Sequence, residues 1–317
     1  MKDFNQLFKE KKGKSFLTLD GWQPDELEAL LLLAKQLKSE RQQGMMGQPL
    51  KGKSLAMIFE KPSTRTRISF EVGMKELGGY TLHLGTNELQ LGRGETLEDT
   101  ARILSRYVDA ILIRTCEHAR IQRLADAATI PVINGLSDLA HPCQAVADLL
   151  TILETKGKLK GVKLSFIGDG NNVLHSLMHA SALAGIHLSI ATPAGYEPDA
   201  DIWKKAEQIM GQTGGTLTFS HDPHVAAEGA DVVYTDVWAS MGQEQEKEKR
   251  QQSFLSYQVN ARLMAHAAPD AVFMHCLPAY RGLEVTGEVL EGAQSVVFDQ
   301  AENRLHAQKA LLMALLG

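Results

Sequence analysis

Four polar clusters, each placed just after a short apolar run, hold residue types that can bind an anion and an amine. Ser63-Thr64-Arg65-Thr66-Arg67 follows the run 54–59 and leads into a stretch whose apolar positions Phe70, Met74 and Leu77 have helical spacing. Backbone N–H groups at a helix start, together with hydroxyls and a guanidinium, can surround a phosphate with charge-assisted hydrogen bonds. Taken alone, the segment reads equally well as a hydroxyl cap followed by surface arginines. His141-Pro142-Cys143-Gln144 lies between the run 131–137 and an apolar helix. Such a strand-to-helix loop faces the end of a parallel sheet, where His141 and Gln144 could both hydrogen-bond a carbonyl group. The third cluster, Asp236-Val237-Trp238-Ala239-Ser240-Met241-Gly242, follows the run 231–235, and the fourth, His275-Cys276-Leu277-Pro278, follows 271–274. Core packing is the usual reading of a lone Met or Cys. Four such clusters at strand ends are better explained by one composite site.

The elements that would carry these clusters alternate along the chain. Strand-like runs occupy 54–59, 80–84, 109–113, 131–134, 162–167, 187–191, 216–219, 231–235 and 271–275, and most are separated by stretches rich in Ala, Leu, Glu and Lys. A helix is predicted from Asp20 and Pro24 through Leu27, Leu30, Leu31, Ala34 and Leu37 to Gly44. This alternation predicts an α/β fold with parallel sheets covered on both faces. A chain of 317 residues suggests two domains on a prior of roughly 150 residues each. The division falls in the helix after His141 and the Gly- and Lys-rich turn 156–161, giving domains of 1–150 and 151–299.

Composition removes several classes of function. A net charge of −5 gives no cationic field for a nucleic acid. No apolar run approaches the ~20 residues a membrane helix needs, and the polar start MKDFNQLFKEKK is unlike a signal peptide, so a cytoplasmic protein is expected. Cys116, Cys143 and Cys276 are then expected to be reduced thiols. Two motifs mislead. Gly47 to Ser54 matches a phosphate loop, but the match contains Pro49 and runs into a strand where a helix should open. Gly168-Asp169-Gly170-Asn171-Asn172-Val173 resembles a dinucleotide fingerprint, yet Val173 stands at the third glycine and no acidic residue ends the next strand. A dehydrogenase is a weak rival on that ground. His175 and His179 have i, i+4 spacing without the glutamate of a zinc helix, and His221 and His224 read as loop residues, so no metal is expected. The polar run 243–252 reads as a solvated loop or frayed helix.

STRTR, HPCQ, DVWASMG and HCLP occur in the order and approximate spacing of the aspartate/ornithine carbamoyltransferase family, and the chain resembles that family over nearly its whole length. Residues 88–95, 168–172 and Glu302-Asn303-Arg304 add to the likeness. STRTR and HPxQ are common to aspartate- and ornithine-specific members, whereas Ser-Met-Gly with His-Cys-Leu-Pro resembles the ornithine-specific ones. The resemblance implies two parallel-sheet α/β domains with the active site in the cleft between them, and a C-terminal helix, about 300–317, that returns to the first domain. It implies carbamoyl transfer from carbamoyl phosphate to the side-chain amine of ornithine, no cofactor, and a homotrimer with shared sites. By position, carbamoyl phosphate would be bound by Ser63, Thr64, Arg65, Thr66, Gln90, Arg114, His141, Gln144, Cys276, Leu277 and Arg304, with Gln90 coming from the adjacent subunit. Ornithine would be bound by Asn172, Asp236, Ser240 and Met241. Arg65, Arg114, His141, Asp236 and Cys276 would carry the chemistry. A carbamoyltransferase for putrescine or an acylated ornithine, and a non-catalytic anion-binding protein, remain open alternatives.

Overall fold

The computed structural model describes residues 4–85, 94–239 and 246–317. The chain begins with α1 (Phe4–Leu7) and α2 (Pro24–Gln42). There follow β1 (Ser54–Phe59), α3 (Thr64–Glu76), β2 (Tyr80–Gly85), α4 (Leu97–Leu104), β3 (Ala110–Arg114), α5 (His118–Ala127), β4 (Val132–Leu136) and α6 (Pro142–Lys156). Next come β5 (Lys163–Ile167), α7 (Asn172–Ala184), β6 (His187–Ala191), α8 (Ala200–Thr213), β7 (Thr216–Ser220), α9 (Pro223–Ala227) and β8 (Val232–Thr235). The chain closes with α10 (Lys247–Phe254), α11 (Ala261–Met264), β9 (Val272–His275), α12 (Gly287–Leu290) and α13 (Val297–Leu316). Two all-parallel sheets result, in the orders β2-β1-β3-β4 and β7-β6-β5-β8-β9. The α/β architecture expected from the alternation is present.

The chain divides into two compact units, Met1–Ala147 with Asn303–Gly317, and Asp148–Glu302. Both divisions fall inside helices, α6 and α13. In the first unit every residue of β1 is buried, and β3 is buried at all but its last residue, Arg114. That is why these strands read as continuous apolar runs, for a parallel strand covered on both faces has no polar side. Ile58, Ile111, Ile113, Ile121, Leu124 and Val132 belong to one core cluster. The edge strand β2 differs: Tyr80 and Leu82 stay exposed, as does Ile68 on α3. Residues 303–317 are tied into the first unit by Gly13 N–H donating to the Leu315 carbonyl at 2.9 Å and by Lys309 Nζ on Glu76 Oε2 at 2.8 Å.

In the second unit α7 is buried along nearly its whole length, starts on the Asn171 cap, and ends at Gly185 with φ of +66°. Glycine suits that left-handed position because it has no Cβ to clash. Phe166 and Tyr234 stack at 5.7 Å between β5 and β8. Among the described residues no helix is long and apolar enough to cross a membrane.

Candidate active site

In the first unit the polar groups gather where β1, β3 and β4 end. Ser63 caps α3, its Oγ accepting from Thr66 N–H at 3.3 Å, so Thr64, Arg65 and Thr66 fill the first helical turn. Arg114 is the last residue of β3, and His141 and Gln144 open α6. Arg304, on α13, is buried and donates through Nη1 to Gln144 Oε1 at 2.7 Å and through Nη2 to Thr66 Oγ1 at 3.2 Å. Segments far apart in sequence are thereby fastened to one another.

Electrostatics at His141 report the same convergence. Burial, followed by the positive charges of Arg304, Arg114 and Arg65, holds the imidazole well below its ordinary pKa. Three guanidiniums bearing on a neutral histidine beside a helix N-terminus make a strongly anion-attracting site. Cys143, within the same motif, plays another part. Burial pushes its thiol up to about 12, and Sγ donates to the Asn134 carbonyl at 3.4 Å, so it packs and does not ionise.

Sequence reasoning missed the clamp beneath this site. Glu60, the residue after β1, accepts from Arg120 Nη2 at 2.7 Å and from the Thr115 hydroxyl. Its backbone N–H donates to the Arg114 carbonyl at 2.9 Å, and Thr115 N–H reaches the Leu136 carbonyl at 3.2 Å. Backbone hydrogen bonds join the ends of β1, β3 and β4, and the Glu60 carboxylate ties that junction to α5. Nothing in a lone Glu before a Lys-Pro step signals this.

In the second unit Asp236 and Cys276 meet at the ends of β8 and β9, the Cys276 thiol donating to Asp236 Oδ1 at 3.1 Å. Asp236 Oδ2 accepts from Asn171 Nδ2 at 2.8 Å. Asn172, the first residue of α7, is buried beside this cap. Leu277 has φ of +59°, a conformation costing a non-glycine residue about 1 kcal/mol or more, and its N–H donates to His275 Nδ1 at 2.9 Å. Asp236, His275 and Cys276 bring three possible metal-ligating atoms within 4.8 Å of one another. Those atoms already serve one another and the loop: the thiol faces Asp236, Nδ1 accepts from Leu277, and Nε2 lies 3.3 Å from Glu284. Gln90, Ser240 and Met241 lie outside the described residues.

The described part of the polar run 243–252 fits its reading as a helix and departs from the solvated one at Arg250. From Lys247 it is helical, and Arg250 is buried, donating through Nη1 to Asp169 Oδ2 at 2.8 Å and to the Trp238 carbonyl at 3.1 Å. Its guanidinium also sits 4.9 Å from the centre of the Tyr196 ring. Burial raises the pKa of Asp169, in the Gly-rich turn after β5, to about 6 against the opposing pull of Arg250, with Asp236 adding to the rise. A raised folded-state value means that the stability Asp169 contributes is fully present below about pH 4 and is lost as pH rises through about 6. Going down through the same range, Asp169 takes up a proton and releases its ionic hold on Arg250. A protonated-carboxyl infrared band that titrates near pH 6 and vanishes in Asp169→Asn is the expected result. An unchanged band in that variant removes the assignment.

Comparison with known proteins covers both halves. The family model described as aspartate/ornithine carbamoyltransferase, carbamoyl-P binding domain, matches residues 14–154, and the Asp/Orn binding domain of the same family matches 160–315. Ornithine carbamoyltransferase of Anoxybacillus flavithermus is 59% identical over 305 residues, covering 96% of this chain and 97% of that protein. The Thermococcus kodakarensis protein of the same name is 55% identical over 305 residues, with 96% and 97% covered. Among solved structures, ornithine carbamoyltransferase from Pyrococcus furiosus superposes with a TM-score of 0.94 at 55% identity, covering 96% of this chain and 98% of that one.

Proposed function

The chain belongs to the aspartate/ornithine carbamoyltransferase family, and from that premise we propose that it uses ornithine as acceptor: it transfers the carbamoyl group of carbamoyl phosphate to the side-chain amine of L-ornithine, giving L-citrulline and phosphate. The neutral amine attacks the carbonyl carbon, a C–N bond forms, the C–O bond to phosphate breaks, and the amine loses a proton. No electrons change hands, so no redox cofactor is needed. The observation that carries this reading is the set of three arginines, Arg65, Arg114 and Arg304, bearing on neutral His141 in the first unit.

The phosphate binds at the first turn of α3 through Ser63, Thr64, Arg65 and the backbone N–H groups there, where the helix dipole favours an anion. Arg114, Thr66 and His141 polarise the carbonyl oxygen as charge builds on it. Because His141 is held neutral, it acts as an uncharged hydrogen-bond partner. Gln144, whose Oε1 accepts from Arg304, orients the carbamoyl NH2. Leu277 belongs to the same group of contacts. Asp236 and Cys276 receive the ornithine side chain, while Asn172, Ser240 and Met241 hold its amino-acid end.

The protein acts as a homotrimer in the cytoplasm, and Gln90 completes the carbamoyl-phosphate site of the adjacent subunit. Exposed Tyr80 and Leu82 on edge strand β2, with Ile68 on α3, support a partner surface there, since an open apolar edge is a liability in a lone chain. Three cysteines outside any disulfide support a reducing compartment.

Colorimetric citrulline formation from carbamoyl phosphate and ornithine tests the reaction, run beside aspartate, putrescine and an acylated ornithine. Ornithine is expected to give the highest kcat/KM. Preference for another amine overturns the acceptor assignment, and phosphate-compound binding with no turnover on any amine overturns the enzyme.

A further inference from the structure

Asp236 is gripped at both oxygens, and the less obvious grip comes from a residue that the family resemblance does not assign to any ligand. Asn171 stands between the Gly-rich turn after β5 and the first turn of α7, and it is buried. Its Oδ1 accepts two helix N–H groups, from Val173 at 3.0 Å and Leu174 at 3.1 Å. Its Nδ2 donates to Asp236 Oδ2 at 2.8 Å. The two ends of the amide cannot be exchanged: with Nδ2 turned to the helix, donors would face donors, and Oδ1 would face a carboxylate. Capping α7 therefore forces the NH2 group toward Asp236. The residue's own backbone is held as well, with its N–H on the Asp169 carbonyl at 2.8 Å and its carbonyl receiving His175 N–H at 2.9 Å.

We infer that Asn171 is a positioning residue for the acceptor half of the reaction, fixing the rotation of the Asp236 carboxylate so that Oδ1 meets the Cys276 thiol and the incoming amine. The inference rests on the reading that Asp236 serves the ornithine amine. A carboxylate held at one oxygen only can turn about its Cβ–Cγ bond, which is a broad, roughly two-fold torsion. A donor locked by a helix cap removes that freedom before substrate arrives. Misplacing the acceptor carboxylate costs affinity and rate for the amine while leaving the anion end untouched.

The capping duty and the positioning duty separate by substitution. Asn171→Ser and Asn171→Thr keep an oxygen able to cap α7 but lose the amide donor, and Asn171→Asp keeps the cap while setting a second carboxylate against Asp236. For Asn171→Ser, ornithine KM is expected to rise about 10-fold or more, the loss of one hydrogen bond to a charged group, with carbamoyl-phosphate KM within about twofold and Tm little changed. Asn171→Asp should lose more, through repulsion. The cost of Asn171→Ser should shrink when Asp236→Asn is already present, because the two act through one contact. Unchanged ornithine kinetics in stable Ser and Thr variants overturn the inference. So does a parallel rise of both KM values with a fallen Tm, or full additivity with Asp236→Asn. Failure of the wild-type chain to carbamoylate ornithine would instead strike the functional reading on which the inference rests.

Discussion

Replacing Arg65 by alanine is expected to lower kcat/KM for carbamoyl phosphate roughly a thousandfold or more, about 4 kcal/mol, without unfolding the protein. Arg65 lies in the first turn of α3 and is only partly buried. Among the described residues its guanidinium makes no hydrogen bond or ion pair, so alanine removes little that holds the fold. What it removes is a cation that bears on His141 and, in the proposed function, stabilises charge on the departing phosphate. A hydrogen bond between charged groups contributes about 1.5–3 kcal/mol, and more when charge grows in the transition state. Arg304 provides the contrast. It is buried and holds Gln144 and Thr66 together, so Arg304→Ala should lose stability along with activity. Thermal unfolding beside steady-state kinetics separates the two variants. Near-normal kcat and carbamoyl-phosphate KM in a folded Arg65→Ala enzyme would remove the STRTR segment from the phosphate site.

The central strands were legible because burial on both faces leaves a continuous apolar signature, which the more exposed edge strands β2 and β7 lack. All nine runs correspond to strands whose ends move by at most two residues, as with 109–113 against Ala110–Arg114. The false phosphate loop was recognisable for a related reason: Ser54 begins β1, where a nucleotide loop would begin a helix. The Gly-rich turn after β5 needs glycine for packing, since a Cβ on Gly170 would lie 2.4 Å from the Glu197 carbonyl carbon. Short helices such as α11 and α12, four residues each, carry no periodicity to read. The pairings between elements were hidden as well. Nothing local links Glu60 to Arg120, Asn171 to Asp236, or Arg250 to Asp169, because such partners are chosen only when the sheets and helices assemble. No linker composition marked the division into units either, since α6 and α13 carry the chain through it as unbroken helix.

Asp236→Asn is expected to reduce kcat/KM for ornithine by a factor on the order of a thousand while changing carbamoyl-phosphate KM little, because it removes the carboxylate that accepts from the Cys276 thiol and that, in the proposed function, meets the amine. Equal weakening of both substrates, or loss of stability without ligand, would mean that Asp236 merely braces the turn after β8. The same carboxylate sharpens a pH requirement. An alkyl amine has a pKa of about 10.4 in solution, and a neighbouring negative charge favours its charged, unreactive form. Attack must therefore select the scarce neutral amine, and at subsaturating ornithine wild-type kcat/KM should rise as pH increases through the lower alkaline range. His141 does not bend the acid side of that profile. Burial and the charges of Arg304, Arg114 and Arg65 hold it far below its ordinary value, so it is already neutral at mildly acidic pH and adds no inflection near 6.5. The rise should thus belong to the amine and shift with it when an acceptor of lower basicity is supplied. If kcat/KM stays flat from mildly acidic to alkaline pH while chemistry limits the rate, the neutral-amine mechanism fails.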